Sequence, residues 1–354
     1  MKLENHFNKS IIFRSEKEQV MLKKYIAFFI FIQPFACNAQ QVADSIKKHR
    51  ASDEFVALYD DDIKVRLGFS NSFNSFRIKD GSANLDFRLM PNQQLRSTYT
   101  FMYKFIEIDL GYTPEFIRFN KDDEVRGKTK FLNFGTRFYF GSWMQSIQYA
   151  ETKGFYVDKN DLGTAENVLF PDFNVRKIGG STSYIFNRNF SFRAIFLQSE
   201  WQKKSAGSFV PSFSYYFTRI RDNNPSEDNS IDVSIGPSYY YNWVIKEHFL
   251  VSAGAYGGLG YNYTKTTYKD GTPSEKLDGI SFQTQARLTL GYNSKRFYAG
   301  AIASFDAFYY EADPRIQVQD QQRFFEFYVG YRFKGPDKVG KFLDDPLQAV
   351  KKTN

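Results

Sequence analysis

Histidine and cysteine chemistry is sparse in this chain. It has three histidines, His6, His49 and His248, and one cysteine, Cys37. Acyl transfer of the serine-hydrolase kind needs a Ser, a His and a carboxylate or carboxamide within hydrogen-bond reach. His49 precedes the first extended segment, and His248 falls in the tight turn Lys246-Glu247-His248, so neither is placed for such a triad. A single cysteine excludes an intramolecular disulfide, and three histidines leave little for a metal site. Tyr256-Gly257-Gly258-Leu259-Gly260 has the glycine content of a phosphate loop. It lies inside an alternating run with no helix after it, which small residues in a strand explain better. The densest polar group is residues 199–209, SEWQKKSAGSF. Here Glu200, Lys203 and Lys204 have the types for an internal ion-pair cluster or a ligand contact, and equally for a solvated strand end.

The elements that must position these residues are extended. Aromatics make up 19% of the chain, with 39 Phe and 24 Tyr, yet mean hydropathy is −0.49. Disordered chains lack aromatics, and a helical span needs about 18 consecutive apolar residues. From about residue 63 the pattern has period two. Ile63, Val65, Leu67 and Phe69 alternate with Lys64, Arg66, Gly68 and Ser70, and Phe325, Phe327, Val329, Tyr331 and Phe333 with Glu326, Gly330 and Arg332. Further runs include Phe190, Phe192, Ala194 and Phe196, read as a strand, and Ile280, Phe282, Ala286, Leu288 and Leu290. About fourteen candidate strands result, with no long helix.

A soluble sandwich would bury the apolar side of each strand against a second sheet; a membrane barrel turns it to lipid and the charged side to its lumen. Runs of ten or more residues suit the 9 to 11 residue tilted spans a bilayer requires. Tyr and Trp at strand ends, as in Tyr239, Tyr240, Tyr241 and Trp243, suit an interfacial girdle. The fold class expected is therefore all-β, a closed antiparallel up-and-down transmembrane β-barrel of 12 to 14 strands. Short turns are expected at 187–189, 246–248 and 293–295, and long connections near 113–128, 153–175, 221–229, 265–279 and 312–322. A hairpin at Ser205-Ala206-Gly207 would break the alternation of long and short connections, so either it is no hairpin or a strand is missing. Glu107, Asp109, Arg137, Arg193, Arg287, Glu326 and Arg332 fall on the inward parity, where they would either line a pore or fill a narrow lumen with paired charge.

Residues 21–39 contain Lys23 and Lys24, an apolar run from Tyr25 to Phe35, and small residues ending at Ala39. This is the three-part pattern of a secretory signal peptide, with Cys37 a weaker lipidation candidate. The organisation expected is a leader over 1–39 (an upstream extension, then the signal peptide), a short periplasmic segment over 40–60 with a possible helix at 41–58, a barrel over 61–334, and a periplasmic tail over 335–354. Residues 1–24 hold six Lys/Arg and three Asp/Glu, so the formal charge of +8 falls to +5 after cleavage. That excess is dispersed and points to no nucleic acid.

Residues 199–209 also carry a resemblance. With GKTKFLNFGTRFYFG at 127–141, KGFYV at 153–157, IGGSTSYIFN at 178–187 and FSFRAIFLQ at 190–198, they resemble the signature of a Bacteroidetes-type outer-membrane β-barrel family, a domain of unknown function. The signature positions are Glu200, Gln202, Lys203, Lys204, Ser205, Gly207 and Ser208; Trp201 stands where the family signature carries Arg. The resemblance covers about residues 60 to 333 and implies a Gram-negative outer-membrane location with no established activity. The reading from sequence is a non-enzymatic outer-membrane protein, a narrow channel or an envelope scaffold, with outer-membrane lipid as its surroundings, no cofactor and no metal. Its long loops would meet an extracellular or envelope partner. The alternatives are a membrane-embedded enzyme acting on lipid or lipopolysaccharide, and a secreted β-sandwich.

Overall fold

The computed structural model describes residues 54–335, apart from 60–61, 82–83, 104–105, 115, 118–119, 196–199, 224–225 and 314–315. The expected leader, Cys37, His49 and the tail beyond 335 lie outside the described residues. The strands are β1 (Val56–Leu58), β2 (Asp62–Asp80), β3 (Leu85–Pro91), β4 (Arg96–Tyr103), β5 (Ile106–Tyr112), β6 (Lys130–Phe140), β7 (Trp143–Val157), β8 (Val168–Tyr184), β9 (Glu200–Gln202), β10 (Ala206–Phe209), β11 (Ser212–Arg221), β12 (Ser226–Gly236), β13 (Ser238–Ile245), β14 (Phe249–Tyr268), β15 (Glu275–Asn293), β16 (Phe297–Asp313) and β17 (Ile316–Lys334). Three one-turn helices accompany them: α1 (Asp123–Arg126), α2 (Lys159–Leu162) and α3 (Phe192–Ile195).

Ten strands close an antiparallel ring in the order β14-β12-β11-β8-β7-β3-β2-β17-β16-β15, with β15 returning to β14. The closed ring is smaller than the 12 to 14 strands expected, because runs that read separately belong to one ribbon. β12 and β13 keep a single register along β14 across Pro237, and β10 and β11 keep one along β13 and β12 across Val210-Pro211. Proline removes one ladder donor at each break without ending the ribbon. Outside the ring, β4 and β5 extend from β2, and β6 lies along β7.

Burial identifies the solvent of each face. Along β17 the large apolar residues Phe325, Phe327, Val329, Tyr331 and Phe333 are exposed, whereas Glu326, Tyr328 and Arg332 are buried. A soluble sheet would show the reverse. Among the described residues no second protein layer covers the Phe and Tyr rows, which overturns the sandwich. Lys130–Phe140 has 11 residues; at about 3.3 Å rise and roughly 40° tilt it crosses about 28 Å, a hydrocarbon thickness. Among the described residues no helix is long and apolar enough to cross a membrane.

The turns at 246–248 and near 294–296 are short, as expected. Residues 221–229, 265–279 and 312–322 are instead mostly strand, with β16 and β17 separated only by 314–315. Ser205-Ala206-Gly207 is no hairpin but the entry to β10. The 41–58 segment is strand rather than helix where it is described, at Val56–Leu58.

Candidate functional site

The mouth where β2 begins and β17 ends, called here the lower mouth, contains a plug. Residues 185–195 and 200–205 leave the β8 ribbon and fold into the lumen before the chain returns at β10. Asn187-Arg188-Asn189 is therefore the start of this inward excursion and not a tight turn. Phe190, Phe192, Ala194 and Ile195 are buried against Met144, Tyr240, Leu250, Tyr298, Ile302 and Tyr328 of the inner wall. The expected strand at 190–196 is in fact α3 where it is described, since one helical turn is too short to show a 3.6-residue period. The wall is shaped for it by glycine. A Cβ on Gly254 would lie 1.9 Å from Tyr240 Cδ1, and one on Gly330 would lie 2.1 Å from Tyr298 Cζ, so both rings lie flat on the neighbouring strand.

The signature residues assemble at this plug. Gln202 is 2% exposed. Its Oε1 accepts from Ser191 N at 2.7 Å and Asn242 Nδ2 at 3.3 Å, and its Nε2 donates to Asn189 O at 2.7 Å and Lys204 O at 3.0 Å. Glu200 accepts from Ser191 Oγ and lies 3.5 Å from Arg193. β9 pairs with β1, setting Val56 opposite Gln202 and Leu58 opposite Glu200, and Lys203 N donates to Phe55 O at 2.7 Å. Residues 54–58 thus strap the plug from outside. Lys204 is exposed and pairs with Glu54, and that ammonium holds the Glu54 carboxyl below the ordinary glutamate range. Ser205 Oγ accepts from Val244 N at 2.9 Å. Ser208 Oγ accepts from Asn187 N at 3.0 Å, and Gly207 lies where Tyr239 and Tyr241 leave no room for a Cβ.

Trp201 carries a role that no charge pattern indicated. Its Nε1 donates to Glu247 O at 2.6 Å, and its ring lies between Tyr59 and His248 at centroid distances of 6.3 and 5.3 Å. Sequence reading also missed Ser191, inside the FSFRAIFLQ run, and Asn242, among the aromatics at 239–243, because neither carried a polar partner nearby in the chain. Arg332 is buried, donating to Asn293 Oδ1 and Ser294 O at 2.9 Å with its guanidinium 4.2 Å from the Tyr59 ring and 4.5 Å from the Tyr298 ring.

Higher in the lumen Lys177 Nζ of β8 donates to Asp320 Oδ2 of β17 at 2.8 Å, both buried, and sits 4.4 Å from the Phe308 ring and 4.9 Å from that of Tyr216. Above this tie Phe76, Leu89, Phe155, Val157 and Val175 form an apolar cluster. Of the inward charges, Glu326 lies 3.8 Å from Arg66, and Arg193 belongs to the plug rather than to the wall. The side chains of Glu107 and Asp109 lie outside the described residues. Among the described residues no group of three or more His, Cys, Asp or Glu is placed to hold a metal.

Residues 44–333, from the strap through the ring, match the family model described as a domain of unknown function, DUF4421. The chain belongs to that family. The signature residues lie within the matched span. No curated protein matches the chain. Among solved structures it is similar to the outer membrane protease OmpT from Escherichia coli, with 6% identity, TM-score 0.41, and coverage of 78% of this chain and 98% of that one. It is also similar to Ail, the attachment invasion locus protein of Yersinia pestis, at 12% identity, TM-score 0.26, and coverage of 78% and 100%. The P. putida toluene transporter TodX follows at 8% identity, TM-score 0.24, and coverage of 78% and 92%.

Proposed function

We propose that this protein resides in the outer membrane as a non-enzymatic barrel, a narrow conduit closed by its own plug. The supporting observation is the construction of residues 185–195 and 200–205. A buried glutamine ties the plug to itself and to the wall, and a strap from 54–58 covers it, so closure resides in a separable segment rather than in the ring. Ser191, Glu200 and His248 do not form a hydrolytic set: Glu200 receives the Ser191 hydroxyl, while the His248 ring stacks on Trp201 and its Nδ1 faces Asn293 O at 2.9 Å. A second reading, a solid scaffold, is favoured by the Lys177–Asp320 tie, which spans the lumen without involving the plug.

Planar-bilayer recording separates them. The native protein should be nearly silent, and Ile195→Asp, which places a carboxylate in the plug's packing, should conduct in long openings while keeping heat-modifiable gel migration. Silence in that variant, with the barrel intact, would leave the scaffold.

A further inference from the structure

Below the pairing of β3 with its neighbours the wall has a seam. β3 pairs with β7 at Leu89–Pro91 against Phe155–Val157. Lower down the two ribbons part: β4 continues along β2 with β5 beside it, and β6 follows β7 over Trp143–Lys153. Among the described residues β5 pairs with β4 alone and β6 with β7 alone. Two strand edges therefore flank a gap at the height of the exposed Leu132, Phe134, Phe138 and Phe140.

The upper end of the gap is built to hold. Asn92 N donates to Thr129 Oγ1 at 2.8 Å, and that hydroxyl donates to Gly154 O at 2.7 Å. Gly154 sits at φ +93°, and a Cβ there would lie 2.2 Å from Lys128 O. Arg96 of β4 reaches across the gap to place its guanidinium 5.2 Å from the Phe131 ring of β6. Hydrocarbon cannot satisfy an open edge, so unpaired backbone persists at membrane depth only where it meets a wet, protein-lined space. The lumenal side of β6 supplies one, because Asn133, Gly135 and Arg137 are exposed there. Beside them the half-buried Tyr139 has the Arg193 guanidinium 4.5 Å from its ring.

We propose that the β5–β6 seam is a lateral port through which an anionic glycerophospholipid of the surrounding bilayer seats its phosphate at Arg137, with its acyl chains along Phe134 and Phe138. Charge complementarity selects the occupant. Arg137 lies three positions from the lower end of β6, near headgroup depth, and guanidinium matches phosphate in shape as well as sign. The port rests on the membrane placement proposed above and is independent of the plug.

The test uses the full-length protein in nanodiscs, after heat-modifiable migration has established an intact barrel. Hydrogen exchange should be fast in 106–112 and 131–140 and slow in β14 to β17. Native mass spectrometry should show phosphatidylglycerol retained over phosphatidylcholine by roughly tenfold, the discrimination of one charge-assisted contact. Arg137→Gln should abolish that preference and Arg137→Lys should keep part of it. Slow exchange in both edges means that they pair with each other, which overturns the port. Fast exchange without the lipid preference, a preference indifferent to residue 137, or equal competition by inorganic phosphate overturns the lipid site.

Discussion

Gln202→Ala removes the centre of the plug's hydrogen-bond system. Truncation leaves Ser191 N, Asn189 O and Lys204 O without the partners they have at 2.7, 2.7 and 3.0 Å. A buried backbone group left unpaired costs about 1–3 kcal/mol. At the low end of that range three such groups give about 3 kcal/mol. That is a factor of roughly 150 in the equilibrium between docked and undocked plug. The ring ladders do not pass through Gln202, so the barrel should melt unchanged. Amide exchange of residues 190–195 is the direct assay, and protection there should fall by about two orders of magnitude while β14 to β17 keep theirs. Gln202→Glu, which retains the acceptor toward Ser191 and loses the donor, should fall between. Equal protection in the native and alanine proteins would refute the assignment of Gln202 as the tie, and a parallel loss across the whole ring would show that plug and barrel are one cooperative unit.

Other substitutions probe the rest of the structure. Lys177→Met strands the buried Asp320 carboxylate and should cost about 3–5 kcal/mol in urea titrations of the folded gel band, with Lys177→Met/Asp320→Leu recovering most of the loss. Leu288→Arg, on the lipid side of β15, should destabilise by about 2–4 kcal/mol if it lies near the bilayer midplane. The strap should respond to acid: because Lys204 depresses Glu54, its contribution is complete above the ordinary glutamate pKa of about 4.3 and is lost as pH falls through the depressed value. Trp201 fluorescence should report that release as pH falls below the ordinary glutamate range, and Glu54→Gln should remove it. Gly330→Val should expel the Tyr298 ring from its bed and loosen the adjoining plug, seen as faster exchange at 192–195.

How far the sequence disclosed this structure differed by region. Wherever a strand lies in the membrane its two faces meet opposite solvents, so Phe325 to Phe333 alternate with buried partners and are readable one residue at a time. Above the membrane both faces meet water or polar protein; Lys265 and Lys276, paired across β14 and β15, therefore resemble loop residues although they are strand. Inside the lumen the pattern misleads in another way. Phe190, Phe192 and Ala194 share an even spacing with strand residues, and four residues of helix cannot contradict it. The signature at 199–209 was visible as a unit, but its work was not, because Gln202 acts through backbone groups at 189, 191 and 204 that carry no side-chain signal. Trp201 shows the same limit: stacking on Tyr59 and His248 depends on two segments far away in the chain.

Which way the aromatic rows face decides the whole structure, and a single-tryptophan experiment reads it. With Trp143, Trp201 and Trp243 replaced by Phe, one tryptophan is placed at Leu288, exposed on the outer wall, or at Tyr328, 2% exposed on the inner wall. In vesicles of lipid brominated at mid-chain, emission from position 288 should be strongly quenched and emission from position 328 should not. Quenching at neither position, or the same quenching at both, would contradict a barrel that turns its aromatic rows to lipid.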